Sequence, residues 1–186
     1  MYRAITAYFI DNKIRPEQLS EINERLENMN FSIKFTLRKT SSIFVNNHDV
    51  MSKLFLPKID LSVSKFSSIS SIRKFLVTKQ RLLTKNKNII MIGRDIGTVV
   101  VPNAKFKFYL NASSYVRAKR RYDQTKTKYK SIEEIKKSID LRDKIDSTRK
   151  DSPLIPAKDA MIIDTDNLSL LEVVDKMYNV FIGENL

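Results

Sequence analysis

Three short apolar runs punctuate the second half of the chain, at residues 88–92, 106–110 and 160–164, and a polar loop and a stretch of helical period follow each one. Strands buried on both faces read as unbroken apolar runs, and a helix between successive strands makes them parallel. The alternation therefore predicts an α/β protein, a parallel sheet with helices on both faces. The first run constrains the fold most. Residues 89–102, IIMIGRDIGTVVVP, read as a buried strand that ends at Gly93 and presents Arg94 and Asp95 in the loop beyond it. Ligands of open α/β sheets bind outside the carboxyl ends of the strands, which makes those two charges candidate binding groups. An isolated Arg-Asp pair at a strand end is more often a solvated turn, so the rest of the chain has to decide.

The first half is patterned differently. Residues 3–12 carry apolar side chains at helical spacing, Pro16 is placed to open a second helix to about residue 29, and residues 31–38 and 42–45 alternate as an antiparallel pair. Asn46 and Asn47 supply the turn chemistry after it. A serine-rich helical pattern over 61–71 precedes a longer amphipathic helix over 72–85. Later, Ser113 caps a basic helix, Ser131 caps another through Arg142 with Glu133 and Glu134 in its first turn, and a last helix spans 168–181. The two basic helices predict a hairpin over a site.

Composition narrows the chemistry. A chain of 186 residues suits a single domain with one or two small insertions. No apolar run is long enough to cross a bilayer, and charges at Arg3, Asp11 and Lys13 break any secretory signal, so a cytoplasmic location is expected. The absence of cysteine and the single His48 exclude a disulfide framework and a thiolate zinc site; no protein-held metal is expected, and any metal would be oxygen-bound magnesium. A net charge of +13 favours anionic partners. Basic charge with Phe106, Phe108, Tyr109, Tyr122 and Tyr129 among it also fits a nucleic-acid-binding protein. Phenylalanines two apart more often mark the two faces of a core strand, so nucleic acid is not the expected partner.

Several motifs, taken together, carry a family likeness: Met1-Tyr2-Arg3-Ala4, GRDIGTVV at 93–100, Arg120-Arg121, RDKIDSTR at 142–149, Ser152-Pro153-Leu154 and Asp164-Thr165. In order and approximate spacing they resemble the bacterial cytidylate kinases, from Met1 to the carboxyl terminus. The resemblance implies a P-loop nucleoside monophosphate kinase fold over residues 1–186, with a small NMP-binding insertion at about 30–80 and a helical lid at about 113–150. It implies transfer of the ATP γ-phosphate to CMP or dCMP with Mg2+, by a protein that is a monomer when complete. Its implied CMP-binding residues are Arg3 at the acceptor phosphate, Ser64 at the sugar, Arg73 and Asp95 at the cytosine, Arg94 beside them, Arg142 and Asp146 near the sugar, and Arg149 at the monophosphate. Arg117, Arg120 and Arg121 fall in the lid that closes over the ATP phosphates. No residue is singled out as catalytic. Elementary chemistry agrees, since phosphoryl transfer asks a protein chiefly for positioning and for cations around phosphate oxygens, and a carboxylate with an arginine can read a cytosine edge.

One element of the family pattern is missing. The chain holds only Gly93, Gly97 and Gly183, so no G-x-x-x-x-G-K-[ST] occurs in it, and no loop of that kind cradles ATP phosphates. By resemblance, Met1 falls where the family's first two core strands have already passed, one of them central in a 2-3-1-4-5 sheet. Strands without neighbours are costly, so the chain is expected to be marginally stable alone and to bind CMP weakly without transferring phosphate, with an inactive remnant or a basic nucleotide- or nucleic-acid-binding protein as the alternative. Ile92 stands where the family usually has an aspartate near magnesium.

Overall fold

The computed structural model describes residues 1–35, 41–85, 88–125 and 131–183. They form two compact units, Met1–Ile89 and Ile90–Leu186.

The first unit is built on α1 (Tyr2–Asp11), α2 (Leu19–Glu27), a hairpin of β1 (Phe31–Phe35) and β2 (Ser41–Val45) extended by the short β3 (His48–Asp49), then α3 (Pro57–Ser67) and α4 (Ser70–Thr84). Helix α1 buries Ala4, Ile5, Ala7 and Phe9, and Phe9 stacks on Phe66 of α3 at 5.5 Å between ring centroids. The helix ends at Asp11, and Lys13, with a φ of 59°, turns the chain so that Ile14 N–H donates to the Phe9 carbonyl at 2.9 Å and Ile14 enters the core. Pro16 does not open α2. It sits in a turn closed by Gln18 N–H to the Arg15 carbonyl at 3.0 Å, and the helix begins at Leu19. Proline at the second position of a turn needs no N–H, which is why this placement is as comfortable as a helix start.

Strands β1 and β2 pair antiparallel, Phe31 opposite Val45 and Ile33 opposite Ile43; the expected continuation of β1 over 36–38 lies outside the described residues. Asn46 and Asn47 both take positive φ, 48° and 65°, in the turn to β3, as the amide side chains there lead one to expect. Pro57 occupies the first turn of α3, which starts earlier than the serine pattern suggests because its fixed φ is already helical. A break at 68–69 separates α3 from α4. On α4, Ile72, Leu76 and Gln80 are buried at four-residue intervals, with Arg73 beside them.

The second unit contains a wide single turn at Ile96–Val100, β4 (Phe108–Asn111), α5 (Ser114–Thr125), α6 (Ile132–Thr148), β5 (Met161–Asp164) and α7 (Leu170–Gly183). Strands β4 and β5 pair parallel, Phe108 with Met161 through Asn111 with Asp164. The mixed α/β class with a parallel sheet and helices is therefore present. The expected strand at 88–92 is not: those residues take no strand conformation, and Ile90 and Ile92 are 91% and 96% exposed. An apolar run becomes a strand only where a neighbour pairs its backbone, and among the described residues none does so. Helices α5 and α6 pack on each other. Ser113 Oγ accepts from Val116 N–H at 3.3 Å and Ser131 Oγ from Glu134 N–H at 3.2 Å, as the capping pattern predicts. Helix α6 continues past Arg142 to Thr148, so that its last turns carry most of the RDKIDSTR motif.

Candidate functional site

In the second unit the last turns of α6 gather the charges. Asp146 lies one helical turn beyond the adjacent Arg142 and Asp143, and Arg149 follows at the helix end with an extended ψ of 145°. Asp146 is 2% exposed, a position a carboxylate holds only with charged partners. It has three. Arg94 Nη1 lies 2.8 Å from Oδ2, Arg149 Nη1 donates to Oδ1 at 3.1 Å, and Arg142 Nε is 3.7 Å from Oδ2.

The loop after the helix folds back over this carboxylate. Arg149 Nε donates to the Ser152 carbonyl at 2.6 Å and Leu154 N–H to the Asp146 carbonyl at 2.8 Å. Ser152 reaches that position with a φ of 52°. The Ser152-Pro153-Leu154 motif is thus what seats Arg149 beside Asp146.

A second carboxylate links the site to two other elements. Arg94 Nη1 also donates to Asp143 Oδ1 at 2.8 Å, and Arg117 Nη1 of α5 donates to Asp143 Oδ2 at 2.5 Å while its Nε donates to the Ala112 carbonyl at 3.0 Å. Asp95, next to Arg94, is 4% exposed, and its carbonyl anchors the Ile96–Val100 turn through Val99 N–H at 2.9 Å. Four guanidiniums therefore converge on Asp143 and Asp146, and they outnumber the carboxylates even when Asp95 is counted. A partly dry cluster with surplus cations attracts an anion, and guanidinium forks match phosphate.

Not every lid arginine joins the cluster. Arg120 Nη1 donates to Thr165 Oγ1 at 3.0 Å, and its Nη2 donates to the Thr165 carbonyl and to the Leu168 carbonyl at 3.4 Å. These bonds fasten α5 to the loop after β5. Arg121 is half-buried on the same helix. Earlier on α6, the Asp140 carboxyl is held below its ordinary range, first by a hydrogen bond from Lys136 and then by one from Ser114 of α5.

In the first unit, Arg73 is 3% exposed. Its Nη1 donates to the Ser67 carbonyl at 2.9 Å and its guanidinium lies 5.1 Å from the Tyr2 ring centroid, so α1, α3 and α4 meet at this residue. Ser64 is buried on α3, its carbonyl accepting from Ser67 Oγ at 3.1 Å. Arg3 pairs with Asp60 and donates to the Leu54 carbonyl at 2.9 Å. The residues named from sequence thus fall into two sets, Arg3, Ser64 and Arg73 in one unit and Arg94, Asp95, Arg142, Asp146, Arg149 and the lid arginines in the other.

Sequence reasoning named the RDKIDSTR motif but gave Asp143 no role. Its signal was present as two acids three apart on an arginine-bearing helix, which share a face. Of the aromatics that suggested nucleic acid, Phe106 packs on Phe181 at 5.0 Å between centroids, so its ring is committed to protein; Tyr129 lies outside the described residues. Among the described residues no group of three or more His, Asp or Glu is placed to hold a metal ion, and no helix is long and apolar enough to cross a membrane.

Comparison with known proteins agrees with this cluster of motifs. The family model described as cytidylate kinase matches residues 1–182. A cytidylate kinase of Clostridium botulinum (strain Okra / Type B1) is 40% identical over 182 residues, covering 97% of this chain and 82% of the relative. One from Fusobacterium nucleatum is 43% identical over 177 residues, covering 94% and 79%, and one from Caldanaerobacter subterraneus is 41% identical over 180 residues, covering 96% and 78%. A match along nearly the whole chain, over the same residues that converge on Asp146 and on Arg73, means that this chain belongs to the cytidylate kinase family.

Proposed function

We propose that the protein acts in the ATP-dependent phosphorylation of CMP and dCMP, and that its own residues hold the acceptor nucleotide. The observation that carries this is the surplus of guanidinium over carboxylate around Asp143 and Asp146. A phosphate monoester is a dianion, and arginines already held by the buried Asp146 and the half-buried Asp143 meet it without first having to be ordered. Arg94, Arg142 and Arg149 supply charge to the nucleotide's phosphate and sugar, with Asp146 fixing all three. Asp95, buried beside Arg94, is suited to accept from the cytosine amino group, and Arg73 to donate to the ring acceptors. Arg3 and Ser64 complete the acceptor set, while Arg117 and Arg121 serve the donor phosphates from a lid at about 113–150, Arg117 where they meet the acceptor phosphate, and Arg120 fastens that lid to the loop after β5. Residues 30–80 are the NMP-binding insertion. On this reading the protein works in the cytoplasm on free nucleotides.

The kinase family uses ATP. The 186 residues contain no glycine-rich phosphate loop, and Gly93 is no substitute, since a Cβ there would meet the Ile96 side chain at 2.8 Å and not an open cradle. The site's carboxylates face arginines and, among the described residues, form no metal-binding group, so they do not fit a magnesium ion held by protein. What this chain's residues supply to the reaction is acceptor binding, base reading and charge neutralisation.

Calorimetric titration with CMP, dCMP, UMP and AMP tests the reading. CMP and dCMP should bind more tightly than AMP, and Asp95→Ala should erase the preference, because a site built to hydrogen-bond one base edge discriminates by leaving groups unpaired with another. Equal binding of all four monophosphates would overturn it. A coupled assay for ADP release measures turnover directly.

A further inference from the structure

We propose that Asp143 is a positioning residue that couples Arg94 to Arg117, making one phosphate clamp out of two elements of the second unit; this rests on the CMP-binding reading above. Each oxygen of this carboxylate takes a different guanidinium, Oδ1 that of Arg94 at 2.8 Å and Oδ2 that of Arg117 at 2.5 Å. The three side chains are 26%, 29% and 35% exposed for Asp143, Arg94 and Arg117 respectively, so the bridge is neither sealed in the core nor lost in solvent.

The way the arginines are held matters more than the fact that they are paired. Arg94 meets both Asp143 and Asp146 through Nη1 alone, and Arg117 uses Nη1 for Asp143 and Nε for the Ala112 carbonyl. Among the described residues, Arg94 thus keeps its Nε and Nη2 edge, and Arg117 its Nη2, for an incoming ligand. A planar fork gripped along one edge presents the other in a fixed direction, which suits it to phosphate oxygens. Arg94 is in the loop before the Ile96–Val100 turn and Arg117 is on α5, so no local chain geometry holds them in register. Asp143 of α6 supplies that register. Without it, each guanidinium loses its orientation and an anionic ligand must order both on binding.

The test uses the full chain with Asp143→Asn, Asp143→Glu and Arg117→Gln, and the Asp143→Asn/Arg117→Gln double variant. Asp143→Asn should weaken CMP binding about tenfold, Asp143→Glu should restore most of it, and the melting temperature should move little in either. The double variant should lose no more than the worse single one, since both changes break the same bridge. Normal CMP affinity in Asp143→Asn, failure of Asp143→Glu to restore it, or additive losses would overturn the proposal and leave the CMP reading intact. Should the unaltered protein take up no CMP, the functional reading fails. Hydrogen exchange of the ligand-free protein then decides about Asp143: faster exchange over both 94–100 and 114–125 in Asp143→Asn alone supports the coupling, and unchanged exchange in those segments overturns it.

Discussion

The two units are stabilised in different ways. Among the described residues, Met1–Ile89 contains 18 of the buried apolar side chains and six of the large exposed ones, whereas Ile90–Leu186 contains five and 14. The first unit has a conventional core, a contiguous cluster from Ala4 to Leu76. The second leaves Ile90, Ile92, Ile162, Leu170 and Leu171 at least 60% exposed and places its densest interactions among arginines and aspartates. Apolar burial tolerates changes of salt and pH; a network of charges depends on the presence of every member. The cluster most suited to an anion therefore lies in the unit with the less apolar support, where a bound ligand adds the most order.

Removing a core ring is the strongest way to sharpen this contrast. Phe9→Ala deletes a fully buried side chain stacked on Phe66 and should cost about 3–5 kcal/mol in denaturant unfolding. Next comes Asp146→Ala, which leaves the guanidiniums of Arg94, Arg142 and Arg149 without their shared carboxylate and should cost about 3 kcal/mol. Its effect should appear as faster hydrogen exchange in the second unit with little change over α1 to α4, and uniform loss of protection would break the distinction between the units. Ile92→Ser, at a side chain 96% exposed, should change stability by less than about 0.5 kcal/mol; a cost near that of Phe9→Ala would show the residue to be buried in solution.

The smallest effect concerns acid. The Asp11 carboxyl is held below its ordinary 3.8, chiefly by the hydrogen bond from Lys53; burial opposes this, and Lys58 adds a lesser lowering. The unfolded chain takes up that proton more readily than the folded one, so the contribution is present above pH about 4 and fades as pH falls through the depressed folded value. The Asp11 side chain is 30% exposed and both lysines more so, and the pairs are screened. Asp11→Asn should therefore flatten the acid limb of the stability curve only slightly, and an unchanged limb would mean that the lysine pairs contribute nothing.

Much of this could be read from residues in a row. The helical periods, the Asn46-Asn47 turn, the serine caps at Ser113 and Ser131 and the shared face of Arg142 and Asp146 depend on neighbours within a few positions, and each is present in the structure. Expectations that depended on distant partners fared differently. The apolar run at 88–92 looked like a strand but is paired by none of the described residues, and Pro16 had two comfortable environments, of which the turn prevailed. Arg120 belongs to the same basic helix as Arg117, yet the carbonyls after β5 claim it.

Order and spacing of residues alone determined the family, the α/β class and the identity of the charged groups, because motif chemistry and periodicity are properties of the chain itself. Only the tertiary structure decided which guanidinium meets which carboxylate. Arg94, Arg117 and Asp143 are far apart in sequence, and a salt bridge is selected by distance and by exclusion of water, neither of which exists until the elements have packed.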